Sequence, residues 1–107
     1  MKCKPCEGGV LPMKLGETKK YLRMVPSWKL IWGKKIWKEH TFKNFKEALA
    51  FVNSVGTIAE REGHHPDILM HSWKKVRITL STYAIGGLSI NDFILAAKID
   101  GLTFKKG

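Results

Sequence analysis

The feature that most limits how this chain can fold is a long amphipathic segment in its middle, residues 44–63. Asn44, with Glu47 three residues later, is typical of a helix start, because the two side chains can cap backbone N–H groups reciprocally. Gly63 indicates the helix end, since glycine readily adopts the left-handed conformation that closes many helices. Apolar side chains at the helical period form one stripe: Phe45, Ala48, Leu49, Val52, Val55 and Ala59. The pattern therefore predicts a central helix whose apolar stripe packs against another layer of the structure.

Alternating apolar and polar residues on both sides of this helix predict strands. Gly33-Lys34 indicates the two-residue turn of a hairpin, and Ser89 with Asp92 forms a capping box that opens a last helix. The predicted elements are a helix over residues 15–25, a hairpin over Ser27–His40, the central helix, strands over residues 68–72 and Lys75–Thr82, and a helix through Ile99. The order α-β-β-α-β-β-α predicts an α+β fold, with an antiparallel sheet and helices on one face.

The composition indicates one folded domain with a strong positive charge. The chain has 107 residues, 44% of them hydrophobic, with 19 basic and 9 acidic side chains and a net charge of +10. The bases occur singly or in pairs such as Lys34-Lys35, which indicates a solvated surface and argues against nucleic acid as a partner. No apolar run approaches the roughly 20 residues that span a bilayer, and no secretory leader is visible. A cytoplasmic protein without membrane contact is therefore expected.

Two cysteines mark the start of the chain. Residues 1–13 are predicted to form an irregular N-terminal arm that carries Cys3 and Cys6, and residues 14–107 a single domain. A Cys-x-x-Cys pair is half of a zinc site, a redox pair or a disulfide. No second pair follows, and redox pairs ordinarily lie between a strand and a helix. An incidental or weakly structural role, a metal site and a redox role all remain open.

The candidate site begins where the central helix ends, at His64-His65-Pro66. An imidazole has a pKa of about 6.5, so it can act as either acid or base near neutral pH. Pro66 restrains His65 to extended conformations. The alternative interpretation is a structural one, in which the two histidines cap the helix end and bind surface water.

The spaced pattern around these histidines resembles the pterin-4a-carbinolamine dehydratase family. The family pattern is an acidic residue, three spacers, His-His-Pro, an aromatic residue, a Thr-His pair and an aspartate, and this chain has Glu60, His64-His65-Pro66, Trp73, Ser81-Thr82-Tyr83 and Asp92. The resemblance covers about residues 15–102 and includes Gly86-Gly87-Leu88-Ser89. One position departs from the family, because Tyr83 stands where a third histidine is usual.

The resemblance implies a fold, an activity and a set of site residues. The fold is a four-stranded antiparallel sheet with helices on one side, assembled as a dimer or a dimer of dimers. The activity is the loss of water from 4a-hydroxytetrahydropterin to give quinonoid dihydropterin in tetrahydrobiopterin recycling, which needs no metal or redox cofactor because only protons and water move. The catalytic residues would be His64, His65 and Tyr83, and the substrate-binding residues would be Glu60, Pro66, Ser81, Thr82 and Ala84.

Roles within the implied site differ from residue to residue. His64 is expected to be the principal acid and base, and His65 a pterin contact or second proton carrier. Glu60, one helical turn earlier, would orient an imidazole. Trp73 is interpreted as core or loop packing, and Asp92 as a structural capping residue. Tyr83 is a poor base and weak acid at neutral pH, because the reference pKa of a phenol is about 10, so a slowed dehydratase is expected.

A binding function is the alternative to a slowed enzyme. Animal members of the family also serve as dimerisation partners of a homeodomain transcription factor, so a weakened paralogue that acts as a transcriptional cofactor or pterin-binding protein stays open. The expected partners are a pterin substrate, further copies of the chain in a homodimer or homotetramer, and a protein. Trp37, Phe51 and Ile58 indicate a second buried contact and hence an oligomer.

Overall fold

The protein is described by a computed structural model over residues 12–102, so the predictions for Cys3 and Cys6 fall outside the described residues. Its elements are α1 Leu15–Leu22, β1 Lys29–Ile31, β2 Lys35–Thr41, α2 Phe45–Glu62, β3 Asp67–His71, β4 Lys75–Leu80, a 3₁₀ segment Tyr83–Ile85 and α3 Ile90–Asp100. The predicted order is confirmed, with the 3₁₀ segment added. None of the helices between residues 12 and 102 has the length and apolar character to cross a bilayer.

The four strands form one antiparallel sheet in the order β1-β2-β4-β3. Alternate residues of β4 are buried, namely Val76, Ile78 and Leu80, and they join one core with apolar side chains of α2 and α3. Arg77 lies between them on the opposite, open face of the sheet. The predicted α+β fold with helices on one face is confirmed, because strand periodicity puts one apolar row under the helices.

The hairpin turn between β1 and β2 lies one residue earlier than predicted. Ile31 is paired with Lys35, and the N–H of Lys34 donates to the carbonyl of Ile31 at 3.0 Å. The central residues are therefore Trp32 and Gly33, with φ of 52° and 68°, and the prediction of Gly33-Lys34 was wrong. Both residues take the positive φ that hairpin turns of this hand require.

The buried face of helix α2 overlaps the predicted one and is turned relative to it: Ala48, Val55 and Ala59 are buried as predicted. Phe51 and Ile58, assigned to a subunit contact in the sequence-based prediction, are 2% and 6% exposed and belong to the monomer core. Phe45 and Leu49, assigned to the core, are 53% and 43% exposed. Phe51 is drawn inwards because its ring packs 4.9 Å from that of Phe42. The prediction that Phe51 and Ile58 face another subunit was wrong.

Two cations flank the ring of Trp37 on the open face of the sheet. The Nζ of Lys29 lies 5.2 Å from the centroid of the Trp37 ring, and the Arg77 guanidinium lies 4.7 Å from it. Such cation–aromatic contacts are favourable at a partly exposed site. Beside them, Glu39 accepts a hydrogen bond of 2.6 Å from Nε2 of His71 and pairs with Arg77 at 3.4 Å.

Glu39→Gln is expected to lower the free energy of unfolding by about 0.2–1 kcal/mol at neutral pH, the range for exposed and partly exposed ion pairs. The hydrogen bond from His71 and the neighbouring cations hold the pKa of Glu39 below its ordinary value. A pKa depressed by folding contributes stability above the unfolded-state value, about 4.3, and that stability is lost as the pH falls through the folded-state pKa. Urea unfolding of both proteins should therefore converge on acidification, and a gap that stays constant would contradict the prediction.

Candidate active site

A pocket of about 340 Å³ lies where the end of α2 meets the end of β4. One wall is the loop that carries the two histidines, and the other is formed by the segment after β4. The lining residues are Gly63, His64, His65, Pro66, Asp67, Ser81, Thr82, Tyr83, Ala84 and Asn91. Most of the residues singled out from the sequence therefore meet in one cavity, although they come from separate parts of the chain.

The C-terminus of α2 places the histidine loop. Gly63 has φ of 67°, as predicted for a left-handed helix end, and its N–H donates to the carbonyls of Ala59 and Glu60. The N–H of His64 also donates to the carbonyl of Ala59, at 3.2 Å. These bonds satisfy carbonyls at the end of the helix and turn the chain sharply into the pocket. Backbone hydrogen bonds alone therefore place His64 at the pocket.

His64 is held by a buried carboxylate. Its Nε2 lies 2.6 Å from Oδ1 of Asp92, and the side chains of the two residues are 11% and 0% exposed. A carboxylate can only accept hydrogen bonds, so Nε2–H of His64 is the donor. Nδ1 is then the ring nitrogen that can exchange a proton with a ligand. The pair has the form of an acid or base whose tautomer and orientation are set by a second residue.

Asp92 does more than the predicted capping. Its Oδ2 accepts from the N–H of Ser89 at 3.0 Å, which completes the predicted capping box of α3. The same oxygen accepts from the hydroxyl of Thr82 at 2.9 Å. One buried carboxylate therefore joins the start of α3, the residues after β4 and His64. Sequence reasoning missed the contact with His64, and the family spacing of an aspartate after the histidines was the available signal.

His65 has its own carboxylate at the surface. Its Nε2 lies 2.7 Å from Oε1 of Glu60, and both side chains are largely exposed. Glu60 thus lies against an imidazole, and that imidazole belongs to His65. As in His64, the bond through Nε2 leaves Nδ1 for exchange with a ligand. The two adjacent histidines have equivalent hydrogen bonds in different environments, one buried and one solvated.

Tyr83 lies at the outer side of the pocket, with 69% of its surface exposed. Its hydroxyl donates to Oδ2 of Asp67 at 2.8 Å. This hydrogen bond and the charge of Asp67 raise the pKa of Tyr83 above its ordinary value. The phenol is therefore neutral at physiological pH, and its proton is directed at Asp67.

The other predicted substrate contacts divide into two groups. Pro66, Ser81 and Ala84 line the pocket as expected. Thr82 also lines it, but its side chain is buried and its hydroxyl donates to Asp92. Trp73 lies outside the pocket in the turn after β3, where it is 59% exposed and the Nζ of Lys74 lies 4.9 Å from the centroid of its ring. Of the two placements predicted for Trp73, in the core or in a loop, the structure has the loop.

Comparisons with known proteins agree with this arrangement. The sequence profile described as pterin 4 alpha carbinolamine dehydratase matches residues 12–102. A protein of Alkaliphilus metalliredigens, provisionally named a pterin-4-alpha-carbinolamine dehydratase, is 50% identical over 100 residues, covering 92% of this chain and 89% of the relative. A protein of Nitrosospira multiformis with the same provisional name is 49% identical over 100 residues, covering 94% of this chain and 87% of the relative.

Two solved structures have a similar fold. A protein of Brucella melitensis, described as a transcriptional coactivator/pterin dehydratase, matches with a TM-score of 0.78 and 26% identity, covering 84% of this chain and 96% of the other. A pterin dehydratase-like protein identified as a RuBisCO assembly factor in the alpha-carboxysome matches with a TM-score of 0.61 and 23% identity, covering 75% and 93%. The second likeness bears on the fold alone.

Proposed function

Because the chain belongs to the pterin 4 alpha carbinolamine dehydratase family, we propose that it removes water from a 4a-hydroxytetrahydropterin to give a quinonoid dihydropterin. The observation that carries this proposal is the presence of two imidazoles in one pocket, each with Nε2 bonded to a carboxylate. The loss of water from this substrate needs one proton delivered and one removed, and paired imidazoles suit both tasks.

The reaction balances with protons and water alone. The bond from C4a to the hydroxyl oxygen breaks as an acid protonates that oxygen, and water leaves. The adjacent ring nitrogen loses its proton to a base while its electron pair forms the new double bond to C4a. Two imidazoles on one wall of the pocket would shorten the distance that each proton moves, because general acid–base groups act only within hydrogen-bond reach of the reacting atoms.

His64 is the stronger candidate for the principal proton carrier. Its contact with buried Asp92 holds the ring in one orientation, and pre-organised catalytic groups avoid reorganisation during the reaction. His65 is solvated with Glu60, which suits a residue that exchanges protons with water or contacts the substrate edge. Pro66, Ser81 and Ala84 would provide the remaining binding surface.

The experiment that tests the function is stopped-flow measurement of the dehydration of freshly generated 4a-hydroxytetrahydropterin, with and without the protein. Acceleration above the spontaneous rate, proportional to protein concentration and saturable in substrate, is the expected result. A rate equal to the spontaneous one at all protein concentrations would contradict the proposal.

Tyr83→His is expected to accelerate turnover. A phenol whose proton is directed at Asp67 is a poor acid or base, whereas an imidazole titrates near neutral pH. If a third proton carrier is worth the usual amount, the gain would approach about 10²-fold, the lower end of the range for general acid–base catalysis. The same stopped-flow assay measures it, with Phe45→His, at another exposed aromatic residue outside this pocket, as the matched control. An unchanged or lower rate in Tyr83→His would contradict the expectation.

The second candidate is a weakened paralogue that binds a pterin or a protein without fast turnover. Tyr83 in place of the usual third histidine favours it, as do the exposed apolar residues Phe45 and Leu49 on α2. A protein that quenches the fluorescence of pterin on binding but leaves the dehydration rate unchanged would support this candidate over the enzyme. A cytoplasmic homodimer or homotetramer is proposed for either function, and light scattering of the purified protein would measure the number of copies.

A further inference from the structure

The hydrogen bond between Asp67 and Tyr83 joins two parts of the pocket wall. Asp67 is the first residue of β3 and follows the histidine loop, whereas Tyr83 opens the 3₁₀ segment after β4. Both residues line the pocket, and the 2.8 Å hydrogen bond joins two residues that are 16 positions apart in the sequence. Asp67 was not among the residues selected from the sequence, because nothing in the pattern around it predicts a partner at position 83.

The direction of this bond determines what Tyr83 can offer to a ligand. A phenol has one proton and an oxygen that can also accept, and the proton is donated to the carboxylate of Asp67. The oxygen can therefore accept a hydrogen bond from an N–H or O–H of the substrate, and the ring adds an apolar surface. A phenol bonded in this way cannot deliver its proton to a leaving hydroxyl without breaking the bond to Asp67.

We propose that Asp67 is a positioning residue of this site, which holds Tyr83 at the pocket wall as a hydrogen-bond acceptor and ring surface for a reduced pterin. This inference rests on the proposed function for the identity of the ligand. It assigns the proton transfers to His64 and His65 and gives Tyr83 a binding role. Loss of Asp67 therefore weakens substrate binding and leaves the chemical step largely unchanged.

The kinetic test compares Asp67→Ala, Asp67→Asn, Tyr83→Phe and the double variant Asp67→Ala/Tyr83→Phe in the dehydration assay. Asp67→Ala is expected to raise KM by about 2–10-fold, the equivalent of one ordinary hydrogen bond, with kcat changed by less than about twofold. Asp67→Asn should recover most of the loss, because an amide oxygen can still accept from the phenol. The double variant should be no worse than Tyr83→Phe, since residues that act through one bond are non-additive.

Glu17→Ala is the matched control, because it removes an exposed carboxylate from α1, outside the pocket. Its KM and kcat should equal those of the unaltered protein. A fall in kcat of about 100-fold in Asp67→Ala, with KM unchanged, would overturn the proposal in favour of a proton-carrying Asp67. Additive effects in the double variant would overturn it as well.

A second measurement does not depend on activity. The ultraviolet absorbance of the ionised phenol gives a titration curve for Tyr83, isolated by subtracting the curve of Tyr83→Phe. In Asp67→Ala this curve should move to lower pH, because the carboxylate that keeps the phenol protonated is gone. An unmoved curve would overturn the inference.

These readouts also separate the inference from the proposed function. If the protein fails to accelerate dehydration, binding of pterin followed by fluorescence quenching replaces KM. Weaker binding in Asp67→Ala together with a shifted phenol titration would then support the role of Asp67 while the dehydratase proposal fails. Unchanged binding would overturn the role of Asp67 whatever the dehydration assay shows.

Discussion

His64→Ala is expected to lower kcat for dehydration by about 10²–10⁴-fold, the loss typical of removing a general acid or base. Nε2 of His64 is fixed 2.6 Å from buried Asp92, so the ring is oriented for proton transfer in a way that a solvent molecule cannot reproduce. KM should change much less, because the main contribution of the ring lies in the transition state. Stopped-flow dehydration under saturating substrate provides both quantities.

His71→Ala is the matched control for this experiment. His71 also donates from Nε2 to a carboxylate at 2.6 Å, that of Glu39, but it lies on β3 outside the pocket lining. A catalytic role specific to His64 predicts that His71→Ala keeps its rate. His65→Ala should give an intermediate loss, since the His65–Glu60 pair is solvated and less rigidly held. Equal rates in His64→Ala and the unaltered protein would remove His64 from the mechanism.

Asp92→Ala is expected to have the largest effect on stability, a loss of about 2–4 kcal/mol in the free energy of unfolding. The fully buried carboxylate accepts from His64, Thr82 and the N–H of Ser89. A buried donor left without its partner costs about 1–3 kcal/mol, and loss of a helix cap costs about 1 kcal/mol. Urea denaturation measures the difference, and the dehydration rate of the folded fraction should fall because His64 is no longer oriented.

Ser89→Ala separates the two roles of Asp92. Ser89 belongs to the capping box of α3, and its hydroxyl lies 2.8 Å from that of Thr82, so the loss of its side chain should cost about 1 kcal/mol of stability. The dehydration rate should remain unchanged in that variant. If Ser89→Ala slowed the reaction as much as Asp92→Ala, the effect of Asp92 on catalysis would be a consequence of helix capping alone. A stability loss below about 0.5 kcal/mol in Asp92→Ala would contradict its placement as a buried, fully bonded group.

The elements of the fold were predictable where the signal is local. The capping residues Asn44 and Ser89 and the helix end at Gly63 were all assigned correctly, because each depends on backbone groups within a few residues. The turn at Trp32-Gly33 was misplaced by one residue, since glycine can occupy either central position and register with the sheet decides between them. The buried face of α2 was predicted only in part, since Phe51 and Ile58 are buried and Phe45 and Leu49 are exposed. A helix with apolar residues on a wide arc does not indicate which part of the arc will meet the sheet.

The sequence by itself determined the order of helices and strands, the family, and the placement of two histidines at a helix end, because periodicity, capping and motif spacing are written in neighbouring residues. Only the tertiary structure decided which groups those histidines meet. The contact of His64 with Asp92 spans 28 residues and that of Tyr83 with Asp67 spans 16. Such contacts exist because the antiparallel sheet brings the end of β4 against the loop after α2, and each side chain then bonds to whichever partner that packing leaves within reach.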